Sequence, residues 1–520
     1  MKKIVGVVAV VALFLAAIGS VGLVVLNTIA EDSPRTSSRP PRPSPTPPEE
    51  SVTEAPEPSL RAFYSQVLAW KPCESNTEHH CTTLEVPVDY EKPRGETIDL
   101  ALLRVPAQGQ PTGSLVVNPG GPGAPGTEYA AAASLVFRRP LLEQFDIVGF
   151  DPRGTGRSAP VDCFTDAEMD DYIAGDPDPD TPAEEQEFID SVRSFGASCA
   201  ERTGELLGHV TTIEAARDMD VLRAALGEEE LTYFGASYGT KLGATYAELF
   251  PERVGRFVLD GAVDVSLDNR QLSLEQAAGF ETALRAYVQN CLDVTDDCFL
   301  GDSVEEGLQT ISDFLDAVDQ QPLPAGDREL RVGNAFYGIV APLYNSDYWY
   351  ALSAALTAGL EGNGAPLLQL SDLYTSREDG RYTDNSTEAI YAINCLDDPT
   401  SIPVSEVPAQ FAEFEEASPT FGRVFAWGLA GCGGLTVTSS EESLDIRAEG
   451  AAPILVLGTT RDPATPLRWA EALADQLESG VLVRRDGDGH TAYNMKNECV
   501  DYAVEDYLIE GVVPEDGTDC

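Results

Sequence analysis

The run Leu231–Val254, LTYFGASYGTKLGATYAELFPERV, decides how this chain is read. "LTYF" is short, apolar and aromatic, as a buried strand is. "TKLGATYAELF" carries apolar residues at helical spacing. Between them, Gly235-Ala236-Ser237-Tyr238-Gly239 sets a serine between two glycines. A G-x-S-x-G pentapeptide alone says little, because a chain with 45 glycines in 520 residues can hold one by chance. On a strand–turn–helix it gains a mechanical meaning. Small neighbours let strand and helix approach, and the sharp turn presents the hydroxyl. Ser237 is therefore the candidate nucleophile, against the blander reading of a tight turn with an incidental serine.

The flanking sequence extends the pattern. "GSLVVNPGG" and "FDIVGFDPRGTG" read as strands ending in glycine-rich loops, and "TIEAARDMDVLRAALG" as a helix stopping at Gly227. "GRFVLDGAVD" follows as a strand, so the order is β-α-β through a mostly parallel α/β sheet. From Val265 to Gly450 the sequence is mainly helical, and strands return at "APILVLGTTRD" and "GVLVRRDGDGH". The expected organisation is an α/β core over 59–264 and 451–520, interrupted by a helical lid over 265–450.

A serine hydroxyl needs a general base, and the chain has four histidines. His79 and His80 fall between Cys73 and Cys81, in a small loop. His209 precedes a helix. His490 follows the last strand-like run, where a catalytic base fits. Asp462 ends the strand before it, giving the order Ser, Asp, His; Asp260 and Asp264, after "GRFVL", are the rival acids. The developing oxyanion needs N–H donors. The Tyr238 N–H is one. The loop Asn118–Gly123 supplies the other, and since Pro122 has no N–H, Gly121 is the candidate.

The N-terminus opens Met1-Lys2-Lys3, runs apolar from Ile4 to Leu26, and ends in Thr28-Ile29-Ala30. Residues 1–30 read as an export signal, long enough to serve instead as a membrane anchor. Residues 31–58, rich in Pro, Ser, Thr and Glu, read as a disordered spacer. Ten cysteines follow it. In an exported protein an even count reads as disulfides, and pairing of sequence neighbours gives Cys73–Cys81, Cys163–Cys199, Cys291–Cys298, Cys395–Cys432 and Cys499–Cys520. No C-x2-C or H-x3-H spacing implies a metal, and no cofactor is implied. With 34 basic residues against 86 acidic ones, the net charge of −52 excludes nucleic acid and an anionic membrane surface as partners. Such acidity suits a soluble secreted protein or one adapted to high salt. Only the N-terminal segment offers a membrane tether.

"GGPG" (120–123), "DPRGTGRS" (Asp151–Ser158), "GASYGT" and "GDGH", in this order, resemble the proline iminopeptidase-type α/β-hydrolases, above all their secreted tripeptidyl aminopeptidase branch. The resemblance implies an α/β-hydrolase fold with a large helical lid. It implies a serine exopeptidase that releases short peptides, di- or tripeptides, from free N-termini through an acyl-enzyme. Ser237, Asp462 and His490 would be the triad, and the Gly121 region the oxyanion loop. Asp151 and Arg153 would tie a loop near the site as scaffold. Peptides would be the substrates of a monomer, secreted or tethered at the outer face of a bacterial cell. Asn118-Pro119 stands where many iminopeptidases have a histidine, which weakens transfer of proline specificity. An exopeptidase also needs a carboxylate for the substrate ammonium, and Asp397 and Asp398, beside Cys395 in "YAINCLDDP", are the candidates. A carboxylester hydrolase with the same triad is the alternative enzyme. A surface-binding protein on an inactive hydrolase fold is the alternative outside enzymes, and an intact triad argues against it.

Overall fold

The computed structural model describes residues 54–520, apart from 296 and 442. The expected export signal over 1–30 and the spacer as far as 53 lie outside the described residues. Of the spacer's last residues, Glu54 accepts a hydrogen bond through its carbonyl from Arg253.

Ten strands form one sheet: β1 (Lys71–Pro72), β2 (His80–Pro87), β3 (Thr97–Val105), β4 (Gly113–Asn118), β5 (Phe145–Phe150), β6 (Leu231–Ala236), β7 (Val254–Asp260), β8 (Ile454–Arg461), β9 (Gly480–Asp488) and β10 (Thr518–Asp519). Their order is β1-β2-β3-β5-β4-β6-β7-β8-β9-β10. The β1–β2, β2–β3 and β3–β5 pairs are antiparallel, and every pair from β5 to β10 is parallel. This is the α/β-hydrolase sheet.

Both faces of its centre are covered, so the inner strands read as near-continuous apolar runs. Successive side chains go to opposite cores, Tyr233 to one and Phe234 to the other. On the Tyr233 side lie α2 (Thr212–Leu226), α3 (Tyr238–Leu249) and α6 (Leu467–Gln476). On the Phe234 side lie α1 (Gly126–Ala131) and α7 (Glu498–Glu510). Helix α2 ends with Gly227 at φ 80°, the left-handed cap that the sequence suggests.

Between β7 and β8 the helical elements run from Asn269 to Gly434, among them α4 (Asn269–Val294) and α5 (Ser386–Asp397). They enclose an apolar core of their own, including Leu284, Ile311, Ile339 and Leu356. Two short hairpins are the only strands in this stretch among the described residues. A second excursion was not legible in the sequence. Helices at 166–174 and 182–203 add Met169, Ile173 and Phe195 to the Tyr233-side core and clasp the lid through Asp170–Arg377 and Asp178–Arg423 ion pairs. Five disulfides join Cys73 to Cys81, Cys163 to Cys199, Cys291 to Cys298, Cys395 to Cys432, and Cys499 to Cys520.

Candidate active site

The sheet order reverses at β4, which lies between β5 and β6, and in open α/β sheets the crevice at such a point takes ligands. The ends of β4, β6, β7 and β8 lie in register there, with Asn118 opposite Gly235, Ala236 opposite Asp260, and Asp260 opposite Leu457. Ser237, Gly121, Asp462 and His490 each sit just past one of these strand ends or past β9.

Ser237 joins β6 to α3 with φ 57° and ψ −126°. A non-glycine residue held there is strained, and surrounding contacts must hold it. Its N–H donates to the Asp260 carbonyl at 2.8 Å, and its carbonyl accepts from Thr240 N–H at 2.8 Å. The flanking glycines are required by space. A Cβ on Gly235 would lie 2.4 Å from the Gly239 carbonyl oxygen, and one on Gly239 would lie 2.8 Å from the Asn118 carbonyl oxygen.

Three acids competed on sequence for His490, and their contacts separate them. Asp462 is buried, and both its oxygens lie 2.9 Å from His490 Nδ1. Oδ1 also accepts from Ala464 N–H at 2.9 Å and Thr465 N–H at 2.8 Å. Oδ2 accepts from the Thr465 hydroxyl and Thr491 N–H, both at 3.1 Å. Asp260 instead holds the backbone just after the histidine, taking Ala492 N–H at 2.7 Å and Tyr493 N–H at 3.0 Å. Burial pushes its carboxyl up to about 6, with those two N–H bonds pulling the other way. Asp264 bonds Ser266 and Gln476.

His490 is held from the lid as well. Its N–H donates to the Tyr344 carbonyl at 2.8 Å, and its ring meets the Tyr344 ring edge-on at 5.4 Å. Nε2 is buried and has no hydrogen-bond partner among the described residues. Burial opposes charge on the imidazole, but Asp462, with Asp260 behind it, outweighs burial and raises its pKa. Gly261, next after Asp260, ties the histidine to the serine's surroundings: a Cβ there would lie 3.2 Å from His490 Cε1. Thr465, whose hydroxyl lies 3.3 Å from His490 Nδ1, and Tyr344 were missed in the sequence. No local motif marks either one.

Tyr238 is the first residue of α3, so its N–H falls outside the helix ladder and carries the positive end of the helix dipole. The loop after β4 lies against it. A Cβ on Gly120 would lie 2.9 Å from Tyr238 N and 2.8 Å from Ser237 Cβ. Gly121 follows, exposed, at φ 106°.

Asp397 and Asp398, the sequence's candidates for the substrate ammonium, are both engaged within the protein. Asp397 pairs with Lys241 Nζ at 2.7 Å and accepts from Thr212 N–H at 2.9 Å and from the Thr212 hydroxyl. Asp398 accepts from Asn269 N–H and Thr400 N–H at 2.9 Å each, and from the Thr400 hydroxyl. The scaffold residues are deeply tied in. Arg153 forks onto Asp218 at 2.8 and 2.7 Å, and Asp151 takes Thr127 N–H at 2.9 Å and Arg157 N–H at 3.0 Å.

Among the described residues, two groupings are compact enough to share a cation, Asp89–His209–Glu214 and the three carboxylates Asp176–Glu184–Asp319. Arg153 already faces Glu214 at 3.4 Å in the first. Asp176, Glu184 and Asp319 line a cavity of about 800 Å³ between the 166–203 excursion and the lid. Neither grouping contains a triad candidate. The cavity wall at Tyr337 leads through Tyr374 and Tyr344 to His490 by ring contacts of 5.5, 6.0 and 5.4 Å.

A family described as TAP-like protein, of the α/β-hydrolases, matches residues 418–520. Serine protease Hip1 of Mycobacterium tuberculosis (strain ATCC 25618 / H37Rv) is 36% identical over 486 residues, covering 89% of this chain and 92% of its own. Carboxylesterase B of the same organism is 36% identical over 450 residues, covering 85% and 86%. Tripeptidyl aminopeptidase of Streptomyces lividans is 32% identical over 450 residues, covering 83% and 81%.

Proposed function

The chain belongs to the TAP-like α/β-hydrolases and is a serine hydrolase of peptidase type; on that premise we propose that it is an exported aminopeptidase that cuts di- or tripeptides from free N-termini. In this reading Ser237 attacks the scissile carbonyl. His490 takes the hydroxyl proton on Nε2 and later gives it to the leaving amine. Asp462 fixes the imidazole with its proton on Nδ1 and stabilises the cation that forms. The N–H groups of Tyr238 and Gly121 receive the oxyanion. One observation carries the reading: His490 is clasped at Nδ1 by a buried carboxylate, while Nε2 stays buried and unpartnered.

Export is supported by five disulfides and by the apolar N-terminal run. The cut-off in peptide length follows from a lid that packs over the acid and histidine loops. An ammonium partner other than Asp397 and Asp398 is available in Glu128, on α1 directly after the Gly121 loop. Its Oε2 is buried without a hydrogen-bond partner, and burial, then Asp384 and Asp151, push its carboxyl up to about 7. An incoming cation would relieve that crowding.

The test is a pair of substrate series, tripeptidyl p-nitroanilides with free or acetylated N-termini against p-nitrophenyl acyl esters. Preference for the free tripeptide supports the proposal. Fast ester turnover with equal cleavage of blocked and free peptides would favour the carboxylester hydrolase reading, which the carboxylesterase-named relative keeps in view.

A further inference from the structure

The two oxyanion donors sit on separate segments, one after β4 and one at the head of α3, yet a single lid helix touches both. The first turns of α5 press on the Gly121 loop. A Cβ on Gly123 would lie 2.7 Å from Ala389 Cβ, 3.0 Å from the Ser386 carbonyl oxygen and 3.1 Å from Ile390 N. The last residue of α5, Asp397, reaches the other segment. Its Oδ1 accepts from Thr212 N–H, an orphan donor at the head of α2, at 2.9 Å. Its Oδ2 accepts from the Thr212 hydroxyl and from Lys241 Nζ, the latter at 2.7 Å. The Thr212 oxygen lies 2.7 Å from Tyr238 Oη, and Tyr238 is buried.

The direction of this chain is fixed. A carboxylate can only accept, so the Thr212 hydroxyl donates to Asp397 and accepts from the Tyr238 phenol. Asp397 therefore grips the head of α3 twice, at Tyr238 through Thr212 and at Lys241 directly.

We propose that Asp397 is a positioning residue for the oxyanion hole: from the lid it holds Tyr238 so that the Tyr238 N–H points at the oxygen of the tetrahedral intermediate. This rests on the assignment of that N–H as an oxyanion donor. A donor held off its line by a fraction of an ångström stabilises the transition state less while leaving the bound substrate almost untouched. Asp397→Asn is a fine probe. Its amide oxygen can keep the Thr212 N–H, but the NH2 then faces Lys241 and the Thr212 hydroxyl, which reverses the hydroxyl and leaves the phenol without an acceptor.

The experiment measures kcat and KM on a tripeptidyl p-nitroanilide, with active sites counted by a fluorophosphonate. A peptide boronic acid whose adduct fills the hole, and the product tripeptide, serve as competitive inhibitors. Asp397→Asn should lower kcat per active site about ten- to a hundredfold, the range expected for misplacing a donor rather than deleting it. KM and product affinity should stay within about twofold, and boronate affinity should fall with kcat. Thr212→Val and Tyr238→Phe should reproduce the loss, and should add little on top of Asp397→Asn, because all three cut one chain. These two variants also carry the test if Asp397→Asn folds poorly. A wild-type kcat per counted site, additive losses, or a loss confined to KM and product affinity would each overturn the inference. Wild-type enzyme that no phosphonate labels would overturn the serine mechanism beneath it, which is a separate result.

Discussion

Replacing Asp462 by Asn tests the acid assignment without changing the shape of the site. The native carboxylate accepts from Ala464 N–H, Thr465 N–H, the Thr465 hydroxyl, Thr491 N–H and His490 Nδ1. An asparagine has one accepting oxygen. Set toward Ala464 and Thr465, it meets two backbone donors and leaves its NH2 facing Thr491 N–H and His490 Nδ1. The imidazole relieves that contact by moving its proton to Nε2, where it cannot take the serine proton. Turnover should fall on the order of 10⁴-fold, as for a triad forced into the wrong tautomer; at 1.36 kcal/mol per decade this is about 5.4 kcal/mol of transition-state stabilisation. The unpaired Thr491 N–H should cost about 1–3 kcal/mol of stability, small enough to leave a folded enzyme. The assay is kcat per titrated active site on a tripeptidyl p-nitroanilide across pH. The base must be neutral to act, so wild-type kcat/KM falls as pH drops through the raised His490 pKa. Among the charges facing the ring, the variant loses Asp462 and keeps Asp260, so any residual activity should have its acid limb at lower pH. A loss below tenfold, or an acid limb that does not move, would refute the reasoning.

Ser237→Ala should remove on the order of 10⁶ of turnover and all labelling by a fluorophosphonate while leaving the melting curve intact; near-normal activity would sink the nucleophile. Asp260→Asn should cost more stability than catalysis, about 1–3 kcal/mol in urea unfolding, because Ala492 and Tyr493 donate to different carboxylate oxygens and the NH2 that replaces one of them cannot accept. A turnover loss larger than that of Asp462→Asn would reverse the two roles. Glu128→Gln should raise KM for free tripeptides about tenfold and leave acetylated ones unchanged, as expected where a charge-assisted contact is lost; equal effects on both would remove Glu128 from the ammonium site.

What was legible in the sequence is what is local or ordered along the chain. Ser237 declares itself because strand, strained turn and helix all lie within one short run. The contact between Asp462 and His490 follows from chain order and from a count of four histidines. The partners of Asp397 were hidden for the opposite reason. Lys241 lies 156 positions away and Thr212 lies 185, so "CLDDP" looks the same whether its carboxylates face solvent, a substrate or a buried lysine. The 166–203 excursion was equally hidden. Its "DPDPDTPAEEQEF" reads as a solvated loop and helix start, and only the fold brings Arg377 and Arg423 against it.

These long-range contacts bear on how the lid works. A lid that swings freely should touch the catalytic loops through few, weak contacts. Here the lid backbone at Tyr344 holds the His490 N–H, and Gln276 of α4 donates to the Ala464 carbonyl beside the acid at 2.9 Å. Gly279 packs so tightly that a Cβ there would lie 2.5 Å from the Pro463 carbonyl oxygen. Helix α5 packs on the Gly121 loop and reaches the head of α3 through Asp397, and its far end is pinned by Cys395–Cys432. If Ser237, Asp462 and His490 act as proposed, the lid helps hold the catalytic loops in place. On the proposed triad, substitutions in α4 or α5 should alter kcat along with KM, because these helices touch the loops that carry the proposed acid and donors.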